Sequence, residues 1–305
     1  MTGLRRRVLV TGAGGFVGRQ ALEPLRARGF EVHAVGRPQP GAEAAGCNWH
    51  MADLLDPVQV QQLMEQVAPS HLLHFAWYAV PGRYWTSEEN AHWVRASLDL
   101  LTSFRAQGGH RVVMAGTCAE YDWTCAGVVT EQSPCVPATL YGRCKHELQE
   151  QLAAFSSTHG LSSAWGRIFF PFGPHERPER LVPSVIQSLL RGEDARCTHG
   201  KQVRDFLLVE DLGDAFAALL ESGLEGPVNM GSGAGLSVQD FVLRIGRLLG
   251  AEERLRFGAL AAPLGDPPLL VADVTRLREE LHWQPAHSLE QGLERTIAWW
   301  KTQSR

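Results

Sequence analysis

The sequence predicts an α/β protein with a doubly wound parallel sheet, followed by a smaller mixed α/β region toward the C-terminus. Short apolar runs alternate with stretches of helical periodicity through the first two-thirds of the chain. Such alternation is typical of parallel strands joined by right-handed helical crossovers. A glycine-rich turn follows the first apolar run, and after residue 174 the pattern changes to helices joined by Gly- and Pro-rich links.

The expected elements follow from this pattern. Strands are expected at 7–11, 31–35, 71–76, 111–115 and 162–170. Helices are expected from Phe16 to Arg28, with Gly29 as the stop, and at 56–67, 90–107 and 139–158, then near 181–191, 211–222, 237–249, 273–281 and 288–301. We place one domain at 1–170, to which residues near 203–228 return, and a second mainly at 171–305. A cleft between them is the natural ligand site.

Composition excludes several classes of function. With 305 residues and a formal net charge of -4, the chain is not expected to bind nucleic acid. No apolar run approaches the ~20 residues of a membrane span, and the start "MTGLRRRVLVTG" is predicted to lead into a strand instead of a signal peptide. The six cysteines show neither a C-x-x-C pair nor metal-ligand spacing. We therefore expect reduced thiols, a cytoplasmic protein and no metal site.

The segment "VLVTGAGGFVG" places Gly12, Gly15 and Gly18 at the turn from the first strand to the first helix. Glycine lets the backbone turn tightly and approach a pyrophosphate, and the free N–H groups of the helix N-terminus attract that anion. The position of this loop at the start of a strand–helix alternation predicts a Rossmann-type dinucleotide-binding domain at 1–170, and hence a substrate domain at 171–305.

The end of the second strand bears on the choice of cofactor. Many NAD-binding sheets carry an acidic residue there for the ribose hydroxyls, whereas this chain reads "VHAVGRP", with Gly36 and Arg37. A guanidinium suits a 2′-phosphate, so NADP(H) is the preferred cofactor and NAD(H) remains possible; a solvated surface arginine is the alternative. Asp53 and Leu54 are expected at the adenine edge, although Asp53 is equally well explained as a helix N-cap.

A second pattern indicates proton transfer. In "TLYGRCK", Tyr141 and Lys145 are four residues apart at a helix start and share one face. A phenol with its usual pKa of about 10 is a poor acid or base at neutral pH, but a nearby ammonium lowers that pKa. Thr117, at the end of the strand "RVVMAGT", adds a second hydroxyl that can orient a carbonyl or alcohol between them.

With these motifs the chain resembles the extended short-chain dehydrogenase/reductases, the NAD(P)-dependent nucleotide-sugar epimerases, dehydratases and reductases. The resemblance covers essentially the whole length, through "TGAGGFVG", "YGRCK", "GRIFFPFGP", "RDFLLVEDL" and "LHWQPAHSLEQGLERTIAWW". It implies that Tyr141 is the catalytic acid/base, that Lys145 holds the ribose and tunes Tyr141, and that Thr117 hydrogen-bonds the reacting oxygen.

The resemblance also implies the binding residues. Arg204 resembles the arginine that grips the sugar-nucleotide diphosphate; an ion pair with Asp205 or Asp211 is the alternative. Thr117, Tyr141 and Arg204 would therefore contact the substrate. A homodimer is expected through the helices at 90–107 and 139–158. The residues expected to bind the dinucleotide are Gly12, Gly15, Phe16, Val17, Gly18, Arg37, Asp53, Leu54, Phe75, Ala76, Tyr141 and Lys145.

The positions after the threonine separate the reactions of this family. Relatives that dehydrate at carbons 4 and 6 carry Asp-Glu there, whereas this chain has Cys118 and Ala119, so a dehydratase is not expected. Bifunctional 3,5-epimerase/reductases resembling GDP-fucose synthase use a cysteine two residues before the equivalent of Tyr121, where this chain has Ala119. Cys118 with His175 is an open alternative to that pair, and a buried cysteine with a loop histidine is the simpler explanation.

Other departures concern the expected sugar pocket. Phe170 stands where UDP-sugar epimerases often carry an asparagine, and Trp93 stands where relatives often place a structural asparagine. If the strand continues beyond Thr117, Glu120 faces away from the site. The aromatic loop "AWYAVPGRYWT" (76–86) would stack on the sugar or serve as a plain hydrophobic cover.

These observations predict an NADPH-dependent reductase for the 4-keto group of a nucleotide-linked 4-keto-6-deoxy (or dideoxy) sugar. A nucleotide-sugar 4-epimerase uses the same triad and remains open, as does a 3,5-epimerase/4-reductase. A non-catalytic cofactor-binding protein of this fold would usually lack the tyrosine or the lysine.

Overall fold

Strands and helices alternate through the first half of the chain, as expected. The computed structural model describes residues 6–36, 46–124, 127–262 and 265–303. The elements up to residue 168 are β1 (Arg7–Thr11), α1 (Gly18–Ala27), β2 (Glu31–Val35), β3 (Asn48–His50), α2 (Pro57–Val67), β4 (His71–His74), α3 (Glu89–Ala106), β5 (Arg111–Thr117), β6 (Gly127–Val129), α4 (Leu140–His159) and β7 (Ser162–Ile168).

The rest of the chain is richer in short strands than the sequence indicated. The helix expected near 273–281 is shorter than predicted and of another type, because a single π-helical turn spans Arg276–Glu280. The elements are β8 (Phe170–Phe172), α5 (Leu181–Leu190), β9 (Ala195–Arg196), β10 (Val203–Leu208), α6 (Val209–Glu221), β11 (Gly226–Met230), β12 (Gly235–Ser237), α7 (Val238–Leu249), β13 (Leu255–Arg256), β14 (Leu269–Ala272) and α8 (Leu289–Gln303).

The larger sheet has seven parallel strands in the order β11-β7-β5-β4-β1-β2-β3, which confirms the doubly wound fold. Every residue of β5 is buried, because helices cover both faces of such a sheet and its strands are apolar throughout. The strand order reverses between β1 and β4. In sheets of this kind, ligands bind at that switch point, outside the carboxyl ends of the strands.

A second sheet forms farther along the chain. Its strands run β12-β10-β14-β6, with β8 also paired to β10. A separate apolar core lies between this sheet and the helices α5, α7 and α8, with the rings of Phe206 and Phe241 stacked 3.9 Å apart. β10 belongs to this second sheet, whereas β11 pairs with β7 in the larger one. The division of the chain at residue 170 stays a prediction.

Candidate active site

The glycine loop lies against the end of β4. Gly12 has a φ of +65°, and a Cβ there would be 2.8 Å from the backbone nitrogen of Ala76. A Cβ at Gly18 would lie 2.3 Å from the carbonyl oxygen of Gly12. The Thr11 hydroxyl accepts a hydrogen bond from the Ala76 N–H at 3.3 Å and hydrogen-bonds His74 Nδ1 at 2.7 Å. Only glycine therefore permits this approach of the β1 turn to Phe75 and Ala76.

The start of α1 is two residues later than expected. The helix begins at Gly18, so Phe16 and Val17 belong to the turn that carries Gly15. The end of β2 lies beside this turn, because a Cβ at Gly36 would be 3.8 Å from the nitrogen of Gly14. Arg37 lies outside the described residues, and its contact with a 2′-phosphate stays a prediction.

Asp53 is not the helix cap that its position suggested. Asp56 caps α2 by accepting a hydrogen bond from the Val58 N–H at 2.9 Å. Asp53 is exposed and accepts from the Leu55 N–H at 3.0 Å, while Leu54 is buried. The N-cap alternative is therefore wrong, and the adenine edge stays the predicted role of both residues.

Three side chains of the expected catalytic site come from β5 and α4. The Thr117 hydroxyl, at the end of β5, lies close enough to the Tyr141 phenol to act on its pKa, which it lowers. Tyr141 lies in the first turn of α4, which Thr139 caps by accepting from the Gly142 N–H at 3.0 Å. Lys145 follows one turn later, and its Nζ donates to the carbonyl oxygen of Ala115 at 2.9 Å. The hydroxyls of Thr117 and Tyr141 are therefore adjacent, and the Lys145 ammonium lies one turn after Tyr141 on the same helix.

Burial dominates the electrostatics of this pair. It raises the pKa of Tyr141 above its usual range, and the neighbouring Tyr84 phenol raises it further. That direction is opposite to the lowering expected from Lys145. Burial lowers the pKa of Lys145 to about 7, against the opposing effect of the Glu120 carboxylate. In this structure the phenol therefore holds its proton firmly, and the lysine titrates near neutral pH.

The aromatic loop packs directly on these residues. The Trp77 ring lies 3.7 Å from the Lys145 Nζ, in cation–π geometry. The rings of Tyr84 and Trp85 meet the Tyr141 ring edge-on, with centroids 4.9 and 5.8 Å away. The loop is thus more than a cover for the core, because it forms the immediate surroundings of the expected acid and its lysine.

Asn90, in α3, holds that loop in place. It is fully buried, and its Oδ1 accepts from Trp77 Nε1 at 2.8 Å. Its Nδ2 donates to the carbonyl oxygens of Tyr84 and Ser87 at 2.7 and 2.8 Å. Sequence reasoning missed this residue. The available signal was an asparagine one helical turn before Trp93, where a structural asparagine was expected.

Glu120 does not face away, because the strand ends at Thr117 and a 3₁₀ turn follows over Cys118–Glu120. The fully buried carboxylate accepts from the Thr117 N–H at 2.8 Å, from Trp165 Nε1 at 2.9 Å and from Arg167 Nε at 2.8 Å. It therefore fixes the backbone that carries Thr117 and forms a buried ion pair directly behind the site.

Cys118 and His175 do not form a catalytic pair in this structure. Burial raises the pKa of the Cys118 thiol to about 12, and a thiol is a base only as the thiolate. The charges that act on Cys118 include Arg204, whereas the His175 ring packs 4.6 Å from that of Trp299. These surroundings disfavour the 3,5-epimerase alternative.

Arg204 is almost fully buried and forms an ion pair, but with neither expected aspartate. Its Nη2 donates to Asp266 at 2.5 Å, and its guanidinium lies 5.3 Å from the Phe170 ring centroid. Asp205 instead accepts from backbone N–H groups, including that of Gly233 at 3.0 Å, and Asp211 pairs with a histidine. The alternative prediction of an ion pair is therefore correct for Arg204, but the predicted partners Asp205 and Asp211 are wrong. Contact with a diphosphate stays a prediction.

The described residues 6–36, 46–124, 127–262 and 265–303 contain no cluster of His, Cys, Asp or Glu suited to a metal ion. Within the same ranges, no helix is both long and apolar enough to cross a bilayer. The cysteines that can be examined there are all free thiols.

Comparison with known proteins agrees with the fold. The profile of the NAD dependent epimerase/dehydratase family matches residues 8–231. A UDP-glucose 4-epimerase from Corynebacterium glutamicum is 28% identical, and the match covers 92% of each chain. A CDP-abequose synthase from Salmonella typhimurium is 26% identical over 97% of this chain and 99% of its own.

A solved structure extends the comparison. The UDP-glucose-4-epimerase from Stenotrophomonas maltophila, with bound NAD and formylated UDP-arabinopyranose, superposes with a TM-score of 0.87 at 25% identity, over 99% of both chains. The family profile spans most of the chain, including the glycine loop and the Thr117–Tyr141–Lys145 triad. The chain therefore belongs to the NAD-dependent epimerase/dehydratase family.

Proposed function

We propose that the protein reduces the 4-keto group of a nucleotide-linked 4-keto-6-deoxy (or dideoxy) sugar with NADPH. The observation that carries this proposal is the proximity of the Thr117 and Tyr141 hydroxyls, with Lys145 one helical turn after Tyr141. Cys118 and Ala119 occupy the positions where dehydratases of the family carry carboxylates, so proton removal from carbon 5 has no evident base.

The residues present fit a dinucleotide. Gly12 and Gly18 allow the β1 turn to pack where a Cβ would clash, and this leaves the turn and the start of α1 free for a pyrophosphate. The solved relative from Stenotrophomonas maltophila holds NAD. When bound, the reduced nicotinamide supplies the hydride that goes to carbon 4. Arg37 supports the proposed preference for NADPH, because a guanidinium suits a phosphate dianion.

The chain's own residues handle the proton. Tyr141 donates its phenolic proton to the carbonyl oxygen as negative charge develops there, while the Thr117 hydroxyl orients that oxygen. The raised pKa of Tyr141 keeps the proton on the phenol, which is the state that a donor to a ketone needs. The Lys145 ammonium then stabilises the phenolate that is left.

A 4-epimerase is the second candidate, because the UDP-glucose 4-epimerase of Corynebacterium glutamicum is a relative over nearly the whole chain. In that reaction the triad would take the proton of the 4-hydroxyl while the carbon-4 hydride passed to the oxidised nicotinamide, and proton and hydride would be returned after the keto sugar had turned over.

The test is NADPH consumption by the purified protein with dTDP-4-keto-6-deoxyglucose and its CDP and UDP counterparts. We expect oxidation of NADPH and a product reduced at carbon 4, and Tyr141→Phe is the inactive control. A protein that interconverts UDP-glucose and UDP-galactose without added cofactor is instead the epimerase. If no 4-keto nucleotide sugar is reduced, the proposal is wrong.

We also propose that the protein is a homodimer through α3 and α4, which pack side by side. Light scattering on the eluting protein gives the mass, and a charged substitution on the exposed face of either helix should shift it to that of a single chain.

A further inference from the structure

A cavity of about 300 Å³ opens beside the aromatic loop. Pro81 lines it from the loop, Phe170 and Phe206 line it from β8 and β10, and Glu176 and Arg180 line it from the segment that leads into α5. Its size is at the lower limit for ligand pockets, and its mixture of apolar walls with a few polar groups is typical of them.

The cavity lies between two parts of the proposed reaction site. On one side, the Tyr84 phenol lies close enough to Arg180 for that cation to act on its pKa, and the Tyr84 ring packs edge-on against the Tyr141 ring at 4.9 Å. On the other side, the Phe170 ring carries the guanidinium of Arg204. A sugar whose carbonyl meets Tyr141 and whose diphosphate meets Arg204 would have to pass this cavity.

Glu176 is the unusual residue of the cavity wall. Its side chain is 7% exposed, and its Oε1 lies 3.7 Å from Arg180 Nε, beyond hydrogen-bond distance. Its Oε2 is buried and has no hydrogen-bond partner. A buried polar atom without a partner is costly, so this oxygen calls for a function. Glu176 lines the cavity, and because the terminal torsion of glutamate is broad, a rotation about it is available to present this oxygen to a bound ligand.

The charges at and around Glu176 determine which chemical group of a ligand can bind its carboxyl group. Burial raises the pKa of Glu176 to about 8, despite the nearby Arg180 cation, so at neutral pH the group is mostly the neutral acid. It then both donates and accepts hydrogen bonds. Arg180 disfavours an ammonium ligand beside it, and the exposed Glu179 at the rim disfavours a carboxylate. An uncharged hydroxyl group can hydrogen-bond the Glu176 carboxyl group, and neither the Arg180 cation nor the Glu179 carboxylate repels it.

We propose that Glu176 is a specificity-determining residue whose carboxyl group hydrogen-bonds a hydroxyl group of the substrate's sugar. The inference rests on the proposed function, because it takes the cavity as the place of the sugar in a nucleotide-sugar substrate. It adds to that function a preference for sugars with a hydroxyl at this point over the corresponding deoxy, amino or uronic sugars.

Calorimetric binding of UDP-glucose and dTDP-glucose, each against free UDP or dTDP, tests the inference without turnover. Glu176→Leu should weaken binding of the nucleotide sugar by about tenfold to a hundredfold, because the sugar hydroxyl is left unpaired. Binding of the free diphosphate should change by less than about twofold. Glu176→Gln keeps a donor and an acceptor and should stay near wild type. Glu193→Gln, at an exposed position that does not line the cavity, is the matched control and should also stay near wild type.

Equal weakening for the nucleotide sugar and the free diphosphate would overturn the inference, because Glu176 would then support the fold or the nucleotide. An unchanged affinity in Glu176→Leu would overturn it too, as would wild-type protein that binds none of the four probes. The proposed function fails separately: a selective loss in Glu176→Leu, from a protein that never consumes NADPH with a 4-keto sugar, would support the sugar site and refute the reductase.

Discussion

Glu120→Gln removes one buried charge and leaves its partner in place. The carboxylate and the Arg167 guanidinium are 0% and 3% exposed and 2.8 Å apart. Breaking a buried pair on one side costs about 3–5 kcal/mol, because the remaining charge is uncompensated. Arg167 keeps hydrogen bonds to the Tyr121 hydroxyl and the Glu131 carbonyl oxygen. We therefore expect the lower end, about 3 kcal/mol, as a loss of unfolding free energy in urea.

Two further variants make this experiment decisive. Asp99→Asn breaks an exposed pair with Arg95, whose side chains are 80% and 33% exposed, and it should cost less than about 0.5 kcal/mol. The double variant Glu120→Gln/Arg167→Met should recover much of the loss, because an apolar replacement of a whole buried pair is often neutral. A loss below about 1 kcal/mol for the single variant, or a double variant less stable than the single one, would refute the reasoning.

The same substitution has a functional readout. The Glu120 carboxylate raises the pKa of Lys145, which burial holds near 7. Without that charge the pKa falls, so the ammonium is lost at a lower pH. If the charged form supports catalysis, the alkaline decline in kcat should move to lower pH in Glu120→Gln. An unmoved decline would separate the ion pair from the chemistry of Lys145.

Five other substitutions test the remaining assignments. Tyr141→Phe should lower kcat by roughly 100- to 10,000-fold with NADPH affinity unchanged in a fluorescence titration; a mutant with most of the wild-type rate would exclude it as the acid. Asn90→Ala should lower kcat more than it weakens cofactor binding, whereas Trp77→Phe keeps a ring over the lysine and most of the rate; equal rates for Asn90→Ala and wild type would count against the loop's role. Arg37→Ala should raise KM for NADPH by on the order of 100-fold, the effect of two charge-assisted hydrogen bonds, and leave KM for NADH nearly unchanged. An equal rise in KM for both cofactors would refute the contact between Arg37 and the 2′-phosphate. The folded protein keeps a proton on Glu176 up to about pH 8, whereas the unfolded chain releases it near the ordinary pKa of 4.5. The free energy of unfolding therefore falls as pH rises through this window, by up to about 1.4 kcal/mol per pH unit. Glu176→Gln should flatten the slope of Tm against pH, and an unchanged slope would contradict the raised pKa of Glu176.

Local patterns predicted much of this molecule. The bounds of β1 and β2 follow directly from their apolar runs, and the turn between β1 and α1 follows from Gly12 and Gly18, because close backbone approach admits no other residue there. Tyr141 and Lys145 share a helix face because a four-residue spacing fixes that geometry. In each case the information lies within a few residues of the chain.

The errors arose where distant segments meet. Arg204 pairs with Asp266, 62 residues away, and no local spacing indicates that contact. Glu120 turns inward because Arg167 and Trp165, on the neighbouring strand β7, supply donors for it. Asn90 acquires its role from a loop that folds back over α3. Each outcome depends on tertiary contacts that override the local pattern.

The outermost pairing of the large sheet has a consequence for synthesis of the protein. β11 covers an edge of β7 that is otherwise open, although the two strands are separated by β8, α5, β9, β10 and α6 in the chain. Until residue 230 has left the ribosome, β7 presents a row of unpaired backbone groups that another nascent chain can extend. Substitutions that slow the docking of Gly226–Met230 should therefore reduce the yield of soluble protein, while the molecules that complete their folding keep full activity.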